Sequence, residues 1–196
     1  MCGRYYVDEE TAQEIERIIR NLDKRLKAAP KYGEIYPTNN VMVVQSDEGQ
    51  SILSDMIWGF PQYQRKGVII NARSETALDK RMFSKITRNH RCLIPAKGFY
   101  EWDKSKNKIS FERSDGEIML LAGIWNQYDQ DNRFVIFTTD ANDSMQNIHN
   151  RMPLIMEPSE VDTWLHDDKS VEILLRKTPG ELSITSGNIQ QTLDLQ

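Results

Sequence analysis

The chain has 196 residues, of which 39% are apolar and 28% charged, with a net charge of -4. That length and balance suit one compact domain and exclude a disordered chain. No run of about eighteen apolar residues occurs, and residues 1–10 (MCGRYYVDEE) lack the apolar core of a signal peptide. Neither a membrane span nor export is expected, and two cysteines without a framework spacing fit a reducing cytoplasm.

In chain order, residues 8–28 read as an amphipathic helix. Ile15, Ile18, Ile19, Leu22 and Leu26 recur at helical spacing, Asp8 stands at the N-cap and Pro30 stops the helix. Short strands follow at 41–46, 52–60 and 67–72, with a turn signal at 47–49. Ser74 is positioned to cap a second helix carrying Leu78, Met82, Phe83 and Ile86. Strands resume at 91–102 and 108–113, and Asp115-Gly116 predicts a hairpin into 118–125. A turn at 129–132 precedes a strand at 133–139; 141–149 is a short helix or structured loop, and 152–156 is a strand. Ser159 with Asp162 signals a helix start at 160–166, and another short helix falls near 170–176. With no repeat and no linker, the expectation is a single α+β domain over 1–196, built on an antiparallel, partly closed sheet with peripheral helices.

Charge is unevenly distributed. Residues 65–113 hold 13 Lys or Arg against 5 Asp or Glu, whereas 114–196 hold 5 against 14. A basic segment inside an acidic chain suits an anionic partner, or else a solvated face interleaved by folding with the acidic part.

Cys2 is unusual by position. If Met1 is removed, it carries both an α-amine, with an ordinary pKa of about 7.7–8.0, and a thiol. The amine condenses with an aldehyde to an imine, and the neighbouring thiol can close a five-membered thiazolidine. Alternatively, Cys2 is incidental. His149, in IHNRMP, suits general acid–base work or is a satisfied surface residue. Strand alternation places Glu101 opposite Tyr100 and Trp102, so an inward Glu101 would suit proton transfer. Asn71 ends an apolar run, as a turn residue or as a group that orients a reacting atom. Arg4, Arg73, Arg81, Arg91 and Arg151 suit forked phosphate contacts. Trp58, Phe60 and Tyr63 are candidates to stack on bases; Trp102 is expected in the core and Tyr63 at the surface. His90, His149 and His166 with two cysteines show no ligand spacing, so no metal and no cofactor are expected.

The ordered blocks MCGRY (1–5), WGFP (58–61), NARSET (71–76), RMF (81–83), RCLIPAKGFYEW (91–102), AGIW (122–125), TTDAN (138–142) and IHNRMP (148–153) resemble the SOS response-associated peptidase (SRAP) family. The resemblance implies covalent capture of abasic sites in single-stranded DNA, including near duplex junctions, through an N-terminal Cys2 thiazolidine, with Schiff-base and lyase-type chemistry in the DNA-damage response. It implies that His149 assists ring opening, Glu101 moves protons at the amine, and Asn71 holds the N-terminal group. It also implies that Arg4, Arg73, Arg81, Arg151, Trp58, Tyr63, Pro37 and Thr138 meet DNA. A cytoplasmic, nucleoid-associated monomer follows from the same likeness. Two other functions stay open from the residues: a thiol peptidase pairing Cys2 with His149, and a non-catalytic single-strand-binding module. The family usually carries an Asn-x-Ala-Pro-like stretch where this chain reads IYPTNNV (35–41). Pro37 is retained and the preceding Asn is not. Gln62 and Tyr63 stand where some relatives have tryptophans, and no Val-Asn tail follows LSIT (182–185).

Overall fold

The computed structural model describes residues 2–22, 32–63 and 65–186. Its centre is a closed ring of five strands: β3 (Asn40–Asp47), β4 (Gln50–Trp58), β8 (Arg91–Ala96), β11 (Met119–Tyr128) and β12 (Asp131–Asp140). Pairing runs β12–β4–β3–β8–β11 and back to β12. Closure depends on two long strands that each change partner along their length. β11 pairs β8 through Met119–Ile124 and β12 through Gly123–Tyr128. β12 meets β4 at Arg133 and Phe134, then β7 (Asn71–Arg73) from Ile136 onward. The β4 and β7 pairings are parallel; the other ring pairings are antiparallel, as expected. Gly123 sits where β11 is shared, and a Cβ there would stand 2.7 Å from the Val135 carbonyl. Val43, Met56, Ile94, Leu121, Ile124 and Val135 on these strands are fully buried.

A second, open antiparallel sheet has the order β15 (Leu182–Ser186), β10 (Lys108–Arg113), β9 (Gly98–Trp102), β1 (Tyr5–Val7) and β2 (Gly33–Ile35). The stretch read as one strand at 91–102 therefore passes from ring to open sheet at Lys97, whose N–H donates to the Tyr6 carbonyl. β5 (Phe60–Pro61) and β6 (Val68–Ile69) form a small ribbon. β13 (Arg151–Pro153) extends β12, and β14 (Ile155–Met156) extends β11.

Helix α1 (Glu9–Leu22) begins as predicted: Asp8 Oδ1 accepts the Thr11 N–H at 2.8 Å, which satisfies an amide with no intrahelical partner. Ala12 and Ile15 are buried. The expected extension to residue 28, Leu26 and the Pro30 stop lie outside the described residues, as do the side chains of Ile18, Ile19 and Leu22.

Five expectations are corrected. Ser74 caps no helix, because its Oγ is buried without a partner and Arg73 occupies the N-cap. The predicted helix beyond it is a 3-10 turn at Ser74–Thr76 and a separate α2 (Ser84–Asn89). The turn at Asp115-Gly116 joins strands of different sheets, so no hairpin forms there. Residues 152–156 split into β13 and β14, which pair with different strands. The capping box before α3 (Val161–His166) is built by Glu157 and Glu160, whose carboxylates are longer and reach each other's amides, and not by Ser159 with Asp162. The short helix near 170–176 is α4 (Val171–Leu175). No helix among the described residues is long and apolar enough to cross a membrane.

Candidate functional site

Cys2 is fully buried where the open sheet meets the ring. Asn71, on β7 where it pairs with β12 of the ring, donates Nδ2–H to the Cys2 carbonyl at 2.9 Å. From the open sheet, Glu101 on β9 is 4% exposed, while its strand neighbours Tyr100 and Trp102 are partly exposed and exposed. The alternation read from FYEW therefore turns Glu101 inward. Burial pushes the Cys2 thiol well above its ordinary range, and the charge of Glu101 raises it further. The Cys2 Sγ lies 3.9 Å from the Arg4 carbonyl. Residues 2, 71 and 101 thus meet through three separate strand regions.

The register of β7, β12 and β13 sets which side chains share a face. Asn71 is opposite Ile136, Arg73 opposite Thr138, Thr138 opposite Pro153, and Asp140 opposite Arg151. Opposed residues point the same way, so Asn71, Arg73, Thr138, Asp140 and Arg151 line one face. Three atoms of this face, Asn71 Oδ1, Thr138 Oγ1 and Arg151 Nε, are buried with no hydrogen-bond partner among the described residues. Buried polar atoms are nearly always paired, so a face with three orphans is suited to a polar ligand. His149 stands in the loop before β13. Its Nδ1 accepts the Arg151 N–H at 2.9 Å, which puts the proton of the neutral ring on Nε2.

The arginines fall into different environments. Arg151 is 6% exposed and bound by two carboxylates: Glu75 at 2.7 and 2.8 Å and Asp140 at 2.5 Å. That corrects the expectation of an open phosphate grip. Arg91 is structural, with Nε on the Trp164 carbonyl and Nη2 on Asp168 at 2.7 Å. Arg73 and Arg81 are exposed and form no ion pair among the described residues. Arg4 lies over two rings, with its guanidinium carbon 4.3 Å from the centroid of Tyr36 and 5.1 Å from that of Trp102. Trp102 is thus 37% exposed and outside the core, contrary to expectation.

Trp58 and Phe60 cannot stack on a base, because both are fully buried; the Trp58 indole N–H donates to the Ile70 carbonyl at 3.0 Å. Thr138 is also fully buried, so it is no surface contact. The sequence pattern could not separate these from Tyr63, because aromatic and hydroxyl residues at strand positions carry no label of which sheet covers them. Tyr63 is 86% exposed and lines a groove of about 440 Å³ with Pro61, Arg65, Ile69 and Met82. Pro37 is partly exposed in the turn after β2, tied to β4 by the Thr38 N–H on the Trp58 carbonyl. Sequence reasoning missed Glu34, Glu75 and Asp140, the ionic partners of the site's cations, and Lys108, which shares Glu34 with Arg4, since ordinary charged residues become partners only through the fold. Among the described residues no cluster of three His, Cys, Asp or Glu could hold a metal ion.

A family model described as SOS response associated peptidase (SRAP) matches residues 1–191. The abasic site processing protein YoqW of Bacillus subtilis (strain 168) is 31% identical over 183 residues, covering 85% of this chain and 80% of that protein. YedK of Escherichia coli (strain K12), also named an abasic site processing protein, is 26% identical over 182 residues, covering 87% and 82%. Among solved structures, a phage-related protein from Bordetella bronchiseptica superposes with a TM-score of 0.75 at 23% identity, covering 94% of this chain and 93% of that one.

Proposed function

The chain belongs to the SOS response-associated peptidase family, and from that premise we propose that it processes abasic sites in DNA by covalent capture on Cys2 once Met1 has been removed. The observation that carries this reading is the convergence on residue 2: Asn71 fixes its carbonyl at 2.9 Å, and the buried Glu101 carboxylate lies close enough to act on its thiol. Relatives named abasic site processing proteins point the same way.

The chemistry needs no cofactor. The abasic sugar is a closed hemiacetal; His149 Nε2–H donates toward the ring oxygen as the C1′ hydroxyl loses its proton, and the ring opens to the aldehyde. Glu101 accepts a proton from the Cys2 ammonium. The free amine adds to C1′, and loss of water leaves an imine. The thiol then adds across the C=N bond: sulfur bonds C1′, its proton passes to nitrogen, and a thiazolidine results. Holding the amine, thiol and aldehyde in one geometry supplies most of the acceleration. Single-stranded DNA is the preferred partner in this reading, because C1′ must leave the stack to reach a buried residue. Arg73, Arg81, Arg65 and Tyr63 are exposed and available to the strand, and partly exposed Arg4 flanks the Cys2 side of the site.

A thiol peptidase would need a thiolate at neutral pH. Burial and Glu101 shift the Cys2 thiol the opposite way, so the site favours the amine as first nucleophile.

The test is incubation of mature protein with a single-stranded oligonucleotide carrying one abasic site. A heat-stable adduct mapping to Cys2 is expected, and Cys2→Ala should abolish it. An equal yield of stable adduct from Cys2→Ala would overturn the proposal.

A further inference from the structure

Two residues from Cys2, the cation of Arg4 is already occupied. Glu34, on the edge strand β2, uses both carboxylate oxygens. Its Oε2 accepts from Arg4 Nη1 at 3.0 Å and from the Tyr36 hydroxyl at 2.5 Å, while Oε1 accepts from Lys108 Nζ. The same Lys108 nitrogen sits 3.7 Å from the centroid of the Tyr100 ring. The exposures of the three charged side chains are 27% for Arg4, 32% for Glu34 and 34% for Lys108, so the cluster is open to solvent on one side. Tyr36 and Trp102, the rings flanking Arg4, are both exposed. The Lys108 and Tyr36 hydrogen bonds hold the Glu34 carboxyl below its ordinary range, so it is charged at neutral pH.

We propose that Glu34 is a built-in counterion for Arg4 and Lys108, standing where a strand phosphate would stand, so that DNA engages these two cations only by exchange with it. This rests on the reading that a DNA strand lies on this face. Forked Arg contacts suit a carboxylate and a phosphate equally well, so the two anions compete for one position. Partly exposed ion pairs are weak, which makes exchange accessible. The thermodynamic signature is in the salt dependence. Each phosphate that a free protein cation neutralises sheds counterions condensed on the strand, which adds about 0.7 to the log–log salt slope for single strands. A cation neutralised by a carboxylate of its own chain releases none. Glu34, one negative charge against two cations, therefore both weakens binding and hides one cation's worth from the slope.

The probe is fluorescent oligothymidylate without a lesion, titrated against the full chain over a series of salt concentrations. Glu34→Gln should bind about tenfold tighter at low salt, with a slope steeper by roughly 0.7, one phosphate's worth. Glu34→Asp keeps the charge and should return the slope to that of the parent. Lys108→Met in the Glu34→Gln background should lower the slope by about 0.7, back to that of the parent. A Glu34→Gln slope and affinity equal to the parent would overturn the proposal, as would a Glu34→Asp variant as steep as Glu34→Gln, which would assign the effect to packing. If the parent binds oligothymidylate with no salt dependence, the placement of DNA on this face fails instead.

Discussion

Asn71 spends one of its polar atoms and leaves the other unpaired. Its Nδ2 fixes the Cys2 carbonyl, and its Oδ1 is buried with no partner. A residue that only ended a strand would have no reason to leave a buried acceptor unmet. Asn71→Ala should slow adduct formation by roughly 10–100-fold through lost positioning, with DNA affinity within about twofold; time-resolved denaturing gels beside equilibrium binding separate the two. An equal loss of both would assign Asn71 a structural role. Cys2 and Cys92 are both free and buried, and burial pushes both thiols up. In the protein that retains Met1, a disulfide reagent should label either thiol at least about 100-fold more slowly than in denaturant, where two equivalents react. At this scale Cys2, Asn71, Glu101 and His149 were legible as residue types suited to the chemistry. The burial of Trp58 and Thr138 was not, because it depends on which sheet packs over each strand.

Strands were readable from alternation, and nearly every predicted strand has a counterpart. Their partners were not readable. Closure of the ring needs β11 and β12 to exchange neighbours midway, and nothing in a run such as MLLAGIW marks where a strand stops serving one neighbour and begins serving another. Gly123 is the physical trace of that event. A Cβ there would meet the Val135 carbonyl and the Ile94 Cδ1, each at 2.7 Å, with Cys92 Sγ at 3.2 Å. Gly123→Ala should destabilise by roughly 1–3 kcal/mol, as overpacking of a filled core does. Thermal melts would then fall by about 2–4 °C per kcal/mol; an unchanged midpoint would show that the ring can relax. Gly98→Ala, with the Phe111 carbonyl 2.3 Å from its Cβ, should weaken the β9–β10 pairing that carries Glu101. It is therefore expected to slow adduct formation as well as lower the melting point.

Over the whole molecule, folding interleaves the basic and acidic segments read from the sequence. Arg91 pairs with Asp168, and Arg113 with Asp115 and Glu157, so part of the basic excess is consumed internally. Arg73 and Arg81 remain exposed, as do Arg65, Lys66, Lys80, Lys85, Arg88, Lys104 and Lys106, and these a polyanion can reach. The Arg151 cluster makes a pH prediction. Burial raises the Glu75 carboxyl, but its bonds to Arg151 outweigh that and leave it below its ordinary 4.5. A depressed carboxyl stabilises the fold fully above its unfolded value, and the contribution disappears as the pH falls through the folded value. The melting-point gap between the parent and Glu75→Gln should therefore be widest above the ordinary carboxylate range and close as the pH falls below it. A gap independent of pH would show that the pair contributes nothing. The full burial of Cys2 has one more consequence, in time. The residues that enclose it lie as far along the chain as Glu101, so a chain still on the ribosome carries its first two residues in the open. Elongation at roughly 5–20 residues per second leaves about 5–20 s before residue 101 has been added. Under the proposed chemistry, an aminopeptidase that uncovers the amine would work most readily in that interval, before Cys2 is enclosed.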